Sequence, residues 1–203
     1  MQAYNKSELE NYFLAEEAKK LYQKKFLSKE QLQMIIAQLV QLKSNPNIFF
    51  RIGFFFLGSF LISTIISAFG LVLFPLISED FEFIFFFYAI VAYIGLEVLV
   101  NMKFFRHGLD DAFLLTSQIS FAIGIGILTE AILPVLITML VLGVFFAIRF
   151  INTISALLAF IGLVGIFFNL IVEHDVMPKF YLSFVGLILA ILVYFFIVHL
   201  SKN

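Results

Sequence analysis

The 203-residue chain has no cysteine, no tryptophan and only four prolines. Without cysteine there is no disulfide, no thiolate nucleophile and no Cys-ligated zinc or iron–sulfur centre. Without tryptophan, anchoring at a membrane–water boundary falls to Tyr, Lys and Arg. Charge is scarce as well: Asp, Glu, Lys and Arg make up 13% of the residues, against about 25% in a soluble domain. The formal net charge of −1 gives no bulk attraction to nucleic acid. Together these shortages argue against a soluble enzyme, a nucleic-acid binder and a disordered chain.

What fills the sequence is apolar. Hydrophobic residues make up 62% of it, with 29 phenylalanines. A membrane-crossing helix needs about 20 mainly apolar residues, and six such runs occur, at 48–74, 81–100, 112–129, 131–149, 151–172 and 180–200. Length and composition thus predict an all-α, polytopic membrane protein: a six-helix transmembrane bundle over 47–203, preceded by a cytoplasmic helical hairpin over 1–46. The third, fourth and fifth runs are joined almost directly, which requires tight antiparallel connections. Only Thr129, Glu130 and Pro134 separate the third from the fourth.

The amino-terminal segment is charged where a cleavable signal would be apolar, so the first span is expected to act as an uncleaved anchor. Ser7 to Glu10 and Ser28 to Gln31 both have the spacing of a capping box. The second helix carries Leu32, Ile35, Ile36 and Leu39 at i, i+3, i+4, i+7, and the first a rougher stripe of Leu9, Phe13, Leu14, Ala18, Leu21 and Tyr22. The simplest use of these stripes is mutual burial, with the inner face of the membrane as a third surface; a sharper use is docking of a protein partner. Lys19, Lys20, Lys24, Lys25 and Lys29 also offer a contact for anionic lipid, diluted by Glu8, Glu10, Glu16, Glu17 and Glu30.

Basic residues fix the orientation, because short loops rich in Lys and Arg stay cytoplasmic. Six spans put both termini on one side. That side holds Lys6, Lys19, Lys20, Lys24, Lys25, Lys29, Lys43, Arg51, Lys103, Arg106, Arg149 and Lys202, and the other holds only Lys179. Five or seven spans would break the alternation, so the charge pattern supports six spans and cytoplasmic termini.

A charge inside a span costs about 2.5–3.5 kcal/mol on insertion scales and is therefore a functional candidate. Glu97 alone qualifies, four residues from the end of its span and roughly 6 Å deep. It can snorkel to the interface, pair with Arg149, Arg106 or Lys103, or serve as a proton or cation site. The third span has the most polar inner half, with Thr116, Ser117, Gln118 and Ser120. Counted from Ala112, Gln118 lies roughly 9 Å deep, which predicts a hydrogen bond from Glu97 to Gln118 or Ser117. Small residues four apart offer close helix contacts: Ser59, Ser63 and Ser67, then Ser120/Gly124, Ala122/Gly126, Gly143/Ala147, Ser155/Ala159 and Gly186/Ala190. His107 and Asp110 have a possible metal-ligand spacing, although Asp110 or Asp111 more simply caps the third span. No catalytic, cofactor or metal motif appears.

Gly108-Leu109-Asp110-Asp111-Ala112-Phe113-Leu114-Leu115 resembles the Gly-x-Asp-Glu/Asp-Ala-x-Leu-Leu span entry of a family of uncharacterised bacterial multi-pass membrane proteins. The segment Lys25 to Leu32 is similar to that family's amino-terminal hairpin. The resemblance implies topology and brings no activity or cofactor. The first functional reading is a non-catalytic membrane subunit or scaffold with a membrane-protein partner or a homo-oligomer. The second is a small transporter or channel with a polar path near Glu97 and Gln118. The third is an intramembrane enzyme.

Overall fold

The computed structural model describes residues 2–39, 42–44, 47–73 and 82–172, together with Phe184, Gly186 and Leu187. Seven helices lie within these residues: α1 Lys6–Gln23, α2 Lys29–Gln38, α3 Ile48–Leu73, α4 Glu82–Asn101, α5 Leu109–Thr129, α6 Ile132–Phe150 and α7 Thr153–Val172. Five of them, α3 to α7, are long and apolar enough to cross a membrane. The run expected at 180–200 falls outside the described residues, apart from the three named above.

Local chemistry explains most of the boundaries. α2 opens on the expected capping box: the Ser28 side chain accepts from the Gln31 amide, and the Gln31 side chain accepts from the Ser28 amide. α1 opens differently. Its N-cap is Asn5, whose Oδ1 accepts from the Ser7 amide at 3.1 Å, so Ser7 lies inside the helix. Asn47 caps α3 by accepting from the Phe49 amide. Both tight connections turn on a residue in the left-handed region: Glu130 (φ 50°) ends α5 and Ile151 (φ 53°) ends α6.

α5 is the hub, touching α3, α4, α6 and α7. Its composition dictates this place. It carries Asp110, Asp111, Ser117, Gln118 and Ser120, all buried, and polar groups facing lipid would have nothing to bond. The apolar neighbours can face lipid without penalty and do so.

Helix contacts depend on small residues. A Cβ on Gly143 would stand 2.7 Å from the Ala159 backbone nitrogen, and one on Gly162 would stand 2.8 Å from the Leu136 carbonyl oxygen. α6 and α7 therefore meet backbone to backbone, with Ser155 and Ala159 buried between them. The serine ladder of α3 behaves otherwise. Ser59 and Ser63 donate to Phe55 O and Ser59 O of their own helix, and Ser63 and Ser67 are exposed. The inward ridge of α3 is instead Gly58, Ile62 and Ile66.

The amino-terminal segment is docked onto the end of the bundle where α4 ends and α5 begins. Tyr4 is buried edge-on against Phe105, and its hydroxyl donates to Phe104 O at 2.9 Å. Burial and nearby carboxylates raise its pKa, so it remains a donor. Ala3 N donates to Arg149 O at 2.8 Å, Lys43 N donates to Lys103 O, and Phe105 N donates to Lys43 O. Glu8 pairs with Lys103 at 2.7 Å. These contacts rotate α1 away from the expected stripe. It buries Leu9, Ala15 and Ala18 and packs Tyr12 on Phe105, leaving Phe13, Leu14, Leu21 and Tyr22 exposed. The sequence pattern set α1 against α2 and the membrane face, whereas Phe105 supplies a partner from the α4–α5 loop. α2 contacts α1 with Leu32, Ile35, Ile36 and Leu39 half-buried.

Gly143→Ala is expected to lower stability by about 1–3 kcal/mol, because two backbones must separate to admit the methyl. Gly53→Ala, which meets nothing within 4 Å, should be neutral or slightly stabilising. Thermal unfolding of both variants in detergent checks the contrast.

Candidate functional site at the basic end of the spans

The first turns of α3, α5 and α7 and the last turns of α4 and α6 meet at the end where the amino-terminal segment docks. Their polar groups form two ion pairs, and each is built by the chain path. Reversal between α4 and α5 requires the loop 102–108, in which Lys103 (φ 67°) and Arg106 (φ 50°) adopt left-handed conformations and Gly108 (φ 106°) opens α5. A side chain at Gly108 would run into the Arg51 carbonyl. The loop thus presses onto α3, which brings Arg51 to α5.

Asp111 is the centre of the first network. Its Oδ2 accepts from Arg51 Nε at 2.8 Å and Nη2 at 2.6 Å, and its Oδ1 accepts from Asn152 Nδ2 at 2.7 Å. The Asn152 Oδ1 in turn accepts from the Ile154 and Ser155 amides, so the same asparagine caps α7. One carboxylate, 3% exposed, thereby ties α3, α5 and the α6–α7 turn together. Asp111 is not a cap of α5. Asp110 performs the related local task, its Oδ1 accepting at 2.9 Å from both His107 N and Gly108 N.

Glu97 forms the second pair. Its Oε1 accepts from Arg149 Nη2 at 2.6 Å and Nε at 3.1 Å. Both side chains are about a quarter exposed, as a pair at a membrane–water boundary should be. This was one of the three cationic partners the sequence offered; Lys103 pairs with Glu8 instead.

The expected link from Glu97 to the polar half of α5 does not form. Ser117 donates to the Ala89 carbonyl of α4 at 2.9 Å, two turns away from Glu97. The reason is register: α5 begins at Leu109 rather than Ala112, which places Gln118 roughly 13 Å into the helix while Glu97 stays near its end. Gln118 is 1% exposed, and neither its side-chain oxygen nor its nitrogen has a hydrogen-bond partner among the described residues. It borders an apolar groove of about 470 Å³ between α5, α6 and α7, with Ala122, Val135, Met139 and Leu158.

Nothing among family models, curated proteins or solved structures matches this chain. Its site must be judged on geometry alone.

The His107 ring lies 4.3 Å from that of Phe54, tilted by 42°, and edge-on against Phe104. Burial lowers its pKa, with Asp110 opposing, which favours the neutral ring. Its partner Asp110 is spent on backbone amides, so the two do not converge on a common point, and no group of three metal-ligating side chains occurs among the described residues. The lysines Lys19, Lys20, Lys24, Lys25 and Lys29 all belong to the α1–α2 region, where Lys19 pairs with Glu16 at 3.0 Å and Lys20, Lys24, Lys25 and Lys29 are exposed. Sequence reasoning missed Arg51 and Asn152 as members of a site. The available signal was weak: a basic residue one turn into the first span, and an asparagine in a two-residue connection.

The two pairs should differ sharply on mutation. Asp111→Ala leaves the Arg51 charge and the Asn152 amide without their acceptor and should destabilise by about 3–5 kcal/mol. Glu97→Gln, at a half-wet pair, should lose no more than about 1 kcal/mol. Denaturant unfolding in detergent measures both.

Gln118→Leu should raise stability by about 1–3 kcal/mol, the penalty of an unbonded buried amide. A loss instead would mean that the amide finds a partner in the bilayer.

Proposed function

We propose that the chain is a non-catalytic integral membrane subunit or scaffold of a larger bacterial inner-membrane assembly. In this reading a cytoplasmic helical hairpin precedes six spans, and both termini face the cytoplasm. The basic residues support the orientation: Arg51, Lys103, Arg106 and Arg149 share the end where the amino-terminal segment docks, as short cytoplasmic connections require.

The observation that carries the reading is the way charge is used. The carboxylates near the span ends, Glu97 and Asp111, are each engaged by an arginine of the same chain, and Glu8 engages Lys103. These groups serve assembly of the fold. The amino-terminal unit they help secure leaves Phe13, Leu14, Leu21, Phe26 and Met34 exposed, a surface suited to a protein partner. The transporter reading draws on Gln118 beside its groove, but the partner it needs in Glu97 is held by Arg149 in a different register.

Purification of the tagged chain from its own membranes in mild detergent tests the proposal. A stoichiometric partner is expected, lost in a Phe13→Ser, Leu21→Ser, Phe26→Ser variant that still elutes as a folded species. A monodisperse homo-oligomer that carries a solute across vesicles would overturn it in favour of transport.

A further inference from the structure

At the basic end, α3 and α7 do not touch, and among the described helices α5 packs against both. Between them lies a cleft of about 510 Å³. Its walls have two characters. Ile52 and Phe55 of α3 and Ile154 of α7 form an apolar lower part, and Arg51, Arg106, Asp111 and Asn152 line the polar upper part. Of these, Asp111 is already occupied by Arg51 and Asn152.

The charges facing this cleft do not cancel. Asp111 neutralises Arg51 through Nε and Nη2, and Nη1 of that guanidinium has no acceptor among the described residues. Arg106 makes no ion pair among the described residues and lies over the Phe105 ring at 5.4 Å. The nearby Asp110 is turned to the His107 and Gly108 amides. One uncompensated positive charge thus sits above an apolar slot at a span end, where the α7 amides add a partial positive charge.

We propose that this cleft is a binding site for an anionic phospholipid, with the phosphate held by Arg106 and the free edge of Arg51, and one acyl chain lying between α3 and α7. A soluble anion would use only the upper half, and a zwitterionic lipid would bring its own cation to the arginines. The lipid fits both halves, and basic pockets between spans are established sites for anionic headgroups.

Native mass spectrometry of the full chain in detergent tests this with three probes: phosphatidylglycerol, phosphatidylcholine and inorganic phosphate. Phosphatidylglycerol should remain bound where the other two are stripped. Arg106→Gln should weaken its retention about five-fold, and Arg106→Lys should largely keep it. Ile52→Trp, which fills the apolar half without altering either arginine, should also lose the lipid. A Lys24→Gln, Lys25→Gln variant, altered only on the amino-terminal unit, should bind as the parent does. Equal retention of the two lipids, retention of phosphate as strong as that of phosphatidylglycerol, or undiminished binding in Ile52→Trp would each overturn the proposal.

Discussion

A carboxylate that leaves water must find its compensation inside the protein. Asp111 is buried at the start of the most polar helix, and the arrangement of the other spans follows from its needs. Its two oxygens are met by two different neighbours. Arg51 of α3 meets one edge, and Asn152 of the α6–α7 turn meets the other. In a medium of low dielectric constant an unpaired anion is far more costly than a lost contact. Arrangements that move α3 or the turn away from α5 are therefore disfavoured together. Since Asn152 also caps α7, the same anion sets where that helix starts.

Away from this end the fold is held by a different kind of force. Hydrocarbon solvates leucine as well as a neighbouring helix does, so apolar burial alone does not bring spans together. Close approach does, and the small residues permit it. Gly143 and Gly162 let α6 and α7 meet along their backbones, and Gly58 lets α3 reach Leu109 and Ala112 of α5. Polar pairing thus sets which helices are neighbours and where they begin, while small residues set how near they lie. Gln118 belongs to neither scheme, since its amide is enclosed with no partner among the described residues.

Length and hydropathy made the spans legible. Ile48 and Thr129 are helix ends in the expected places because each lies at a sharp change of composition. The start of α5 was not, because Leu109, Asp110 and Asp111 read as a charged loop until their partners are known. That three-residue difference displaced Gln118 from the depth of Glu97. The same blindness affected α1. Its pattern of Phe13, Leu14 and Leu21 is a fair amphipathic stripe, but the surface it must cover includes Phe105, almost a hundred residues away, and long-range aromatic contacts leave no local periodicity. The pairing of Glu97 with Arg149 was partly legible, since charge sign and span polarity limited its partners to three. Arg51 with Asp111 was equally allowed by topology and was hidden by the competing local role of a helix cap.

The docking of the amino-terminal segment has a mechanical consequence. Tyr4 and Tyr12 grip Phe105 on one side. Ala3 bonds the carbonyl of Arg149, whose side chain holds Glu97. The Lys43 backbone joins the same loop as a short parallel bridge. Three separate points of the segment are thus fixed to the α4–α5 loop and the end of α6, and three points define a plane. A helix attached in this way cannot pivot like one on a flexible tether, so a protein bound to the outward face of α1 would be held at a set height and angle over the spans. Rigid presentation would reduce the entropy lost on association with such a protein.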